Sequence, residues 1–425
     1  METITFPLRT EWPKLLQRPA IDNASLEQIV NEVLLDVQKN GDSAIKKFTL
    51  KFDKVQINEL LVSEKEIIEA EDLCTKDLKA AIQLAKNNIE KFHSSQKEEI
   101  KIIETAPGVK CWRRSVGIEK VGLYIPGGSA PLFSTILMLG VPAKLAGCKE
   151  IILCSPPDKA GKLNPAILYA AKLVGITKIY KIGGVQAIAA MAFGTESVPK
   201  VYKIFGPGNQ YVTCAKQLVN KNGTAIDMPA GPSELAAIAD ETCVPAFVAA
   251  DLLSQAEHGE DSQVILISTN EKILSEIKLE VFKQLEFLPR KITAAKALEN
   301  SKAILIKTIS EAIDLINEYA PEHLIIACKN EEELAEKIIN AGSIFLGNYS
   351  CESAGDYASG TNHALPTNGY AKAYSGVSLD SFVKKITVQK LTQQGINNIG
   401  SAIELMAEAE GLQAHKNAVT IRLNK

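Results

Sequence analysis

The sequence has few of the residues that mark several common protein classes. Its 425 residues include only five histidines, and its eight cysteines are scattered without a CxxC pair. This cysteine pattern predicts reduced thiols and argues against a sulfur-ligated zinc. No apolar run approaches the roughly 18 residues that a membrane span requires. The N-terminus lacks the basic and apolar segments of a signal peptide. The scattered cysteines predict a cytoplasmic protein.

The charge balance is close to neutral. A formal net charge of -3 gives no electrostatic case for nucleic acid or for an anionic membrane as a partner. A hydrophobic content of 46% and a charged content of 23% are typical of a globular protein. At this length the chain is expected to form two or three domains.

Glycine- and proline-rich turns follow a series of short apolar strands in the first half of the chain. The strands are predicted at Val121–Ile125, Glu150–Cys154, Lys178–Ile182 and Val201–Phe205. Their spacing suits βαβ units and a parallel sheet, in which ligands bind beyond the carboxyl ends of the strands. None of the turns is a GxGxxG, so they predict either a nucleotide site of another kind or plain tight turns.

A second series of strands follows, and the fold class is predicted to be α/β with two Rossmann-like domains, one inserted into the other. The later strands are predicted at Ser262–Thr269, Ala303–Lys307, His323–Cys328 and Ser343–Leu346. We expect this second layer to incorporate the earlier helices, two of which open with capping boxes at Ser25 and Ser63. The expected units are an N-terminal arm (1–24), a discontinuous larger domain (25–123 and 235–377), an inserted domain (124–234) and a C-terminal domain (378–425).

Gln255 and His258 are the first candidates for a site. The apolar run from Val244 to Leu253 predicts a buried helix, and Gly259 is a natural helix stop. Gln255 and His258 then lie three residues apart on one face of the last turn. They are either converging ligands or side chains that cap the turn.

Three further segments place acids beside imidazoles. Glu322 and His323 stand at the start of a strand and form either an acid–base pair or a surface pair. Asp356 offers an oxygen ligand, and His363 is either a fourth ligand or a hydrogen-bonding loop residue. No HExxH is present. The remaining candidates are Glu410 and His415, which flank a helix break and could equally lie on an exposed C-terminal helix, and His93, which is predicted to be solvated at a polar helix end.

Several long segments, in order, resemble the signature segments of the histidinol dehydrogenase family. They are Val121-Gly-Leu-Tyr-Ile-Pro-Gly-Gly-Ser-Ala-Pro-Leu-Phe133, Ile204-Phe-Gly-Pro-Gly-Asn209, Ile226-Asp-Met-Pro-Ala-Gly-Pro-Ser-Glu234, Leu252-Leu-Ser-Gln-Ala-Glu-His-Gly259, Ala320-Pro-Glu-His-Leu324, Gly355-Asp-Tyr-Ala-Ser-Gly360 and Glu410-Gly-Leu-Gln-Ala-His415. The resemblance implies a homodimer with NAD as cofactor and one zinc ion per subunit. The implied activity is the oxidation of L-histidinol to L-histidine through bound L-histidinal, in the last steps of histidine biosynthesis.

The resemblance also implies roles for individual residues. The implied metal ligands are Gln255, His258, Asp356 and His415, so His363 is not a ligand. The implied substrate-binding set adds Ser233, His323 and Glu410 to those four ligands. The NAD site is expected at Tyr124, Gln186 and Asn209, and Glu410 and His415 are expected to complete the partner subunit's site.

Glu322 and His323 are implied to be the catalytic pair. His323 would accept the hydroxyl proton, and Glu322, expected to be ionised at neutral pH, would be the base for hydration of the aldehyde. One rival uses a cysteine thiohemiacetal, with Cys111 or Cys148 as the nucleophile. Two others are a metal-dependent hydrolase, which leaves the glycine turns unexplained, and a non-catalytic binding module, which leaves the catalytic pair unexplained.

Overall fold

The computed structural model describes residues 1–19, 23–127, 131–229 and 231–424. Within them the strands are β1 (Glu2–Thr5), β2 (Ile103–Ala106), β3 (Val109–Gly117), β4 (Lys120–Tyr124), β5 (Glu150–Ser155), β6 (Lys178–Lys181), β7 (Lys203–Phe205), β8 (Ala225–Ile226), β9 (Glu234–Ala239), β10 (Gln263–Ser268), β11 (Lys302–Leu305), β12 (His323–Ala327), β13 (Ser343–Leu346) and β14 (Val383–Leu391). The helices are α1 (Trp12–Leu15), α2 (Asn23–Phe48), α3 (Glu64–Leu73), α4 (Lys76–Ser94), α5 (Phe133–Leu145), α6 (Pro165–Leu173), α7 (Gly184–Phe193), α8 (Gln210–Lys221), α9 (Pro245–Ala256), α10 (Glu271–Leu285), α11 (Lys291–Glu299), α12 (Ile309–Tyr319), α13 (Glu331–Ala335), α14 (Glu352–Tyr357), α15 (Gln393–Ala409) and α16 (Gln413–Leu423). Among these helices none has both the length and the apolar character needed to cross a membrane.

The first sheet is five-stranded and parallel, with the order β6-β5-β4-β7-β8. Its strands are short apolar runs joined by helices, which is the pattern that parallel sheets require because both faces are covered. The four strands predicted in this part of the chain are confirmed. The glycine- and proline-rich turn that follows the first of these strands, at residues 126–129, lies partly outside the described residues.

The early helices pack on this first sheet, and here the structure differs from the expected division. Val30 and Val37 of α2 share a buried cluster with Ile152 of β5. Ile82 and Ile89 of α4 lie in the cluster that includes the β4 side chains. The expectation that these helices join the second layer is therefore wrong, and the expected boundary between residues 123 and 124 falls inside β4.

The second sheet is six-stranded and parallel, with the order β1-β11-β10-β9-β12-β13. The predicted strands of this layer are confirmed, but the sequence interpretation missed the edge strand β1 and the strand β9, which lies between β10 and β12. The N-terminal arm supplies the edge strand β1, and Trp12 and Leu16 of the arm are buried in the core beside it. The arm is thus fixed to the fold on the amino-terminal side of Arg18.

A third, antiparallel sheet has the order β14-β3-β2 and joins an early hairpin to a late strand. The C-terminal helices α15 and α16 follow it and pack on each other. Their surface leaves large apolar side chains exposed, namely Leu405, Met406, Leu412 and Ile421. This part of the chain therefore carries apolar surface that the other described residues of the subunit do not cover.

The ends of the early helices test the predicted capping boxes and the predicted exposure of His93. The capping box at Ser63 is confirmed, with Glu66 N–H bonded to Ser63 Oγ at 3.2 Å and the Glu66 carboxylate accepting from Ser63 N–H at 2.8 Å. The side chain of Ser25 lies outside the described part of the chain. The prediction for His93 is wrong, because its ring is fully buried and its Nδ1 lies 3.1 Å from Gln96 Oε1.

Candidate active site

The candidate site forms at the amino ends of two neighbouring strands of the six-stranded sheet. Glu234 begins β9 and His323 begins β12, and the two strands pair in parallel with His323 opposite Leu235. Helix α14, which follows the next strand β13, brings Glu352 and Asp356 to the same point. Parallel pairing therefore gathers groups that are about 120 residues apart in the chain.

Glu322 and His323 are both held by the main chain of Glu234. The Glu234 N–H donates to Glu322 Oε2 at 2.9 Å, and the His323 Nδ1–H donates to the Glu234 carbonyl at 3.3 Å. Because Nδ1 carries the proton in this arrangement, Nε2 of a neutral His323 is left as the acceptor. Its Nε2 faces Asp356 Oδ1 at 3.6 Å. The predicted acid–base pair is therefore buried and oriented, and is not a surface pair.

Burial and charge perturb both groups of this pair. Burial raises the pKa of Glu322 to about 8, so the expectation of a largely ionised carboxylate at neutral pH is wrong for this structure. Burial alone would lower the pKa of His323, but Glu322, Asp356 and Glu352 favour the imidazolium and raise its pKa to about 10. Each group thus binds its proton more tightly than a solvated residue does.

Gln255, His258 and Ser233 border the pair. Gln255 is fully buried near the end of α9, and its amide is assigned the orientation in which both of its polar atoms find partners. In that orientation its oxygen lies 3.3 Å from the Glu234 nitrogen and shares with Glu322 the Glu234 N–H. His258 follows that helix and reaches the cleft, where its Nδ1 lies 3.4 Å from Ser233 Oγ. Desolvation lowers the pKa of His258 and keeps the neutral ring that a metal ligand needs.

Glu352 is a site residue that the sequence interpretation missed. It is 1% exposed and accepts a hydrogen bond from Ser254 Oγ. In the assigned orientation of the Gln255 amide, it also accepts from the amide nitrogen. Its Oε1 lies 4.0 Å from His323 Nδ1. The signal in the sequence was its spacing from Asp356, because residues four apart share a helix face.

The donor set fits a divalent cation. His323 Nε2 and Asp356 Oδ1 are both buried and, within the described residues, have no hydrogen-bond partner. Ligand atoms of His323, Glu352 and Asp356 lie within 4.8 Å of one another. Attraction to His323, His363 and His258 outweighs burial and lowers the pKa of Asp356, which keeps it anionic. Asp356 is the one predicted ligand in this cluster, and ligation by Gln255 and His258 stays a prediction.

A cleft of about 860 Å³ is lined by residues from both parallel-sheet parts of the chain and reaches the candidate site at Ser233 and His258. Asn209 from the first sheet lines it together with Ser233 and His258. The Asn209 side chain also caps α8, since its Oδ1 accepts from Tyr211 N–H at 3.1 Å. Arg18 of the N-terminal arm lines part of the rim of this cleft.

Tyr124 and Gln186 lie beneath the carboxyl edge of the first sheet. The Tyr124 hydroxyl accepts from Gly184 N–H at 3.0 Å, and burial raises its pKa to about 12. The Gln186 amide donates to Asp53 Oδ2 at 3.3 Å, while its Oε1 is buried without a partner among the described residues. A buried acceptor of this kind is available to a ligand that brings a donor.

Comparison with known proteins identifies the family. The histidinol dehydrogenase family model matches residues 16–423. A histidinol dehydrogenase of Bacteroides thetaiotaomicron is 62% identical over 100% of this chain and 99% of its own length. The chain belongs to the histidinol dehydrogenase family. A histidinol dehydrogenase of Haemophilus influenzae is 54% identical over 98% of this chain and 97% of its own.

A solved structure agrees with this family assignment. The crystal structure of histidinol dehydrogenase from Elizabethkingia anophelis superimposes with a TM-score of 0.98 and is 60% identical, covering 100% of this chain and 98% of that one. The α/β fold class predicted from the sequence is thereby confirmed. As a member of the family this protein is an enzyme, an oxidoreductase of histidine biosynthesis.

Two predicted site residues of this family member stand apart from the rest. Glu410 and His415 are exposed at the junction of α15 and α16. Within the described part of the chain, no hydrogen bond or ion pair links them to the cleft. Their predicted roles in binding substrate and metal are therefore not explained by one subunit alone.

His363, which was not assigned as a metal ligand, forms hydrogen bonds beside the site. The Nδ1–H of His363 donates to the Asp356 carbonyl at 2.9 Å, and its Nε2 forms a hydrogen bond of 3.2 Å with Thr135 Oγ1. His363 therefore supports the loop that carries the candidate ligand Asp356.

The two cysteines of the rival mechanism lie elsewhere. Burial raises the pKa of Cys148 to about 11, and Cys111 lies on β3 of the third sheet. Neither thiol belongs to the site, which removes the support for a thiohemiacetal.

Proposed function

We propose that this enzyme oxidises L-histidinol to L-histidine in two steps, through bound L-histidinal, with NAD as the electron acceptor. The observation that carries the proposal is the buried His323, whose Nε2 has no hydrogen-bond partner among the described residues and faces Asp356, beside Glu322. The names of the relatives, which cover the whole chain at high identity, supply the substrate.

The first oxidation needs a base at the hydroxyl group, and Nε2 of His323 has the right placement. In the protein without a bound metal, Asp356 favours the protonated form of the His323 ring and raises its pKa. With the charge of Asp356 engaged by a metal ion, the pKa of His323 would fall and Nε2 could accept the hydroxyl proton. The Nδ1–H bond to the Glu234 carbonyl would hold the ring while this proton moves.

The second oxidation needs water to add to the aldehyde, and Glu322 is the base that we assign to this step. Its carboxylate is fixed by the Glu234 N–H and lies 3.7 Å from His323 Nδ1. Two neighbouring groups with separate environments can serve the two steps without exchanging places. The rise in the pKa of Glu322 predicts that this step is faster at mildly alkaline pH.

Zinc is the metal that we propose, held by Gln255, His258, Asp356 and the partner subunit's His415. These residues supply nitrogen and oxygen donors of the kinds that zinc accepts, although a glutamine oxygen is uncommon. When bound, the ion would act as a template that orients the amine and imidazole of the substrate. Ser233, His323 and the partner subunit's Glu410 are proposed to complete the substrate-binding set.

The NAD site is proposed at the carboxyl edge of the first sheet, with Tyr124, Gln186 and Asn209. When bound, NAD would accept the hydride in each oxidation. Asn209 and His258 line the same cleft, which supports an NAD site next to the proposed metal site. The unpartnered Gln186 Oε1 is an acceptor suited to a ligand hydroxyl or amide.

A homodimer with shared sites is proposed because of the C-terminal helices. The exposed apolar side chains of Leu405 and Met406 on α15, and of Leu412 in the turn before α16, lie close in the chain to Glu410 and His415. Docking this surface on a second copy would bury the apolar groups and bring the polar pair to a cleft, in two equivalent sites. A cytoplasmic location is also proposed, supported by eight cysteines that are all free.

The decisive experiment measures NADH formed against histidinol consumed. With limiting histidinol and excess NAD, we expect two NADH per substrate, because one acid–base pair serves both oxidations. Removal of metal with a chelator should abolish turnover, and zinc should restore it. One NADH per substrate with free aldehyde released, or full activity in a sample shown to lack metal, would refute the corresponding part of the proposal.

A further inference from the structure

Arg18 of the N-terminal arm makes a buried contact with the strand that holds the acid–base pair. Its Nη2 donates to Glu234 Oε2 at 2.9 Å, and its Nε donates to the other carboxylate oxygen. The two side chains are 17% and 2% exposed. A bidentate pair of this kind fixes direction as well as distance, which a single point charge does not.

Arg18 also holds the segment that leads into Glu322. Its Nη2 donates to the Tyr319 carbonyl at 2.7 Å, and its guanidinium carbon lies 4.2 Å from the centre of the Tyr319 ring. Tyr319 ends α12, three residues before Glu322. One guanidinium therefore ties together the start of β9 and the chain that enters β12.

Glu234 passes this constraint to the reacting groups through its main chain. Its carboxylate is fixed by Arg18 and by Asn368 N–H at 2.7 Å, while its own N–H and carbonyl bind Glu322 and His323. If the side chain of Glu234 were released, the peptide groups beside it would lose their anchor. Both groups of the acid–base pair depend on the same anchor.

We propose that Arg18 is a positioning residue for the acid–base pair and acts through Glu234. This inference rests on the proposed function, because it assigns the arm a part in the same two oxidations. Arg18 lines the rim of the cleft, but its Nε and Nη2 are engaged by Glu234 and Tyr319, and its described hydrogen bonds do not include Glu322 or His323. Its effect should therefore fall on the rate of chemistry and not on the binding of either ligand.

The arm offers a matched control in Arg9. Its guanidinium pairs with Asp314 and lies 5.1 Å from the centre of the Trp12 ring, so it too combines a carboxylate with an aromatic face. The Arg9 and Asp314 side chains are 65% and 43% exposed, and neither contacts Glu234. Replacing Arg9 removes an ion pair of the arm and leaves the acid–base pair in place.

The test compares Arg18→Met with Arg9→Met and with the unaltered enzyme. Misplacing reacting groups by about 1 Å can cost about 100-fold in rate, so Arg18→Met should lower kcat by about 10- to 100-fold. We expect the KM values for histidinol and NAD and the zinc content to stay within about twofold, since substrate and metal contacts are kept. Arg9→Met should keep the full kcat.

Conservative variants separate positioning from general stability. Arg18→Lys keeps the charge without the fork, so it should recover only part of the lost kcat, and Glu234→Gln should lower kcat in the same way as Arg18→Met. A lower Tm with unchanged kcat in Arg18→Met would overturn the proposal. A rise in KM alone would also overturn it, because Arg18 would then bind a ligand directly.

The remaining outcomes are also decisive. If Arg18→Met does not fold, Arg18→Lys is judged by the same kcat criterion, and full activity there overturns the proposal. If the unaltered enzyme makes no NADH from histidinol, the proposed function fails on its own account. A crystal structure of the Arg18 variant then still reports whether Glu322 has left the Glu234 N–H, and an undisturbed 2.9 Å contact would end the inference.

Discussion

Replacing Glu322 with glutamine should separate the two oxidations. A glutamine at this position keeps the shape of the side chain and an oxygen that can accept from the Glu234 N–H, as the carboxylate does at 2.9 Å. The hydrogen bond that orients the side chain is therefore retained, and its contribution of about 0.5–1.5 kcal/mol stays in the folded state. What the variant loses is the ability to take a proton from water.

The expected loss of rate in Glu322→Gln follows from the role of Glu322 as a general base. General base catalysis typically contributes about 100- to 10,000-fold, which corresponds to about 3–5 kcal/mol of activation free energy. We expect a loss in this range for oxidation of the aldehyde, which needs hydration. The alcohol step uses His323 Nε2 instead, so its loss should be at least about tenfold smaller.

The assay follows NADH absorbance in single turnovers, started either with histidinol or with histidinal. The pH profile adds a second readout, because the pKa of Glu322 is about 8. About a tenth of the carboxylate is then ionised at pH 7, so the aldehyde step should rise about tenfold between pH 7 and 9. In Glu322→Gln this rise should be absent.

Two results would contradict the reasoning. Equal losses on the alcohol and the aldehyde would show that Glu322 does not serve hydration alone. A rise between pH 7 and 9 that survives in Glu322→Gln would show that another group titrates in that window. Glu333→Gln is the control, because Glu333 is an exposed carboxylate on α13 that pairs only with Lys337 among the contacts described.

Two further predictions concern the metal and the dimer. Glu352→Gln should weaken zinc binding by about 10- to 100-fold in competition with a chelator, because the carboxylate that orients the Gln255 amide is lost, and unchanged zinc affinity would remove Glu352 from this role. Inactive His258→Ala and His415→Ala proteins, mixed under conditions that exchange subunits, should recover up to about a quarter of the normal activity, since half the dimers are mixed and half their sites are intact. No recovery, with mixed dimers confirmed by mass, would mean that His415 serves its own chain.

The strands of the two parallel sheets could be predicted from the sequence because most are apolar runs bounded by turns. Strand β9 was missed although all six of its residues are buried. Its run Glu234-Leu-Ala-Ala-Ile-Ala239 is short, alanine-rich and soon followed by the apolar helix α9. Periodicity alone does not distinguish such a strand from a buried helical segment.

The site was predictable where a motif carried it and not where only the tertiary fold did. Glu322, His323 and Asp356 were named from motifs, and the structure brings them together. Arg18 and Glu234 are 216 residues apart, and no local pattern links them. The same limit explains His93, which looked polar by its neighbours but is buried where α4 meets the loop of Asn362. Long-range packing decides such cases, and one sequence does not contain a direct record of it.

The third sheet sets an order on folding during synthesis. The β2–β3 hairpin ends at Gly117, whereas the strand that completes it, β14, begins at Val383. At about 5–20 residues per second, a ribosome would take roughly a quarter of a minute to a minute to make the intervening chain. Throughout that time β3 presents an unpaired edge, and its charged residues Lys110, Arg113 and Arg114 are the kind that discourage pairing with a neighbouring chain. The nascent subunit thus keeps one edge of β3 free, and guarded by charge, until β14 is translated and pairs with it.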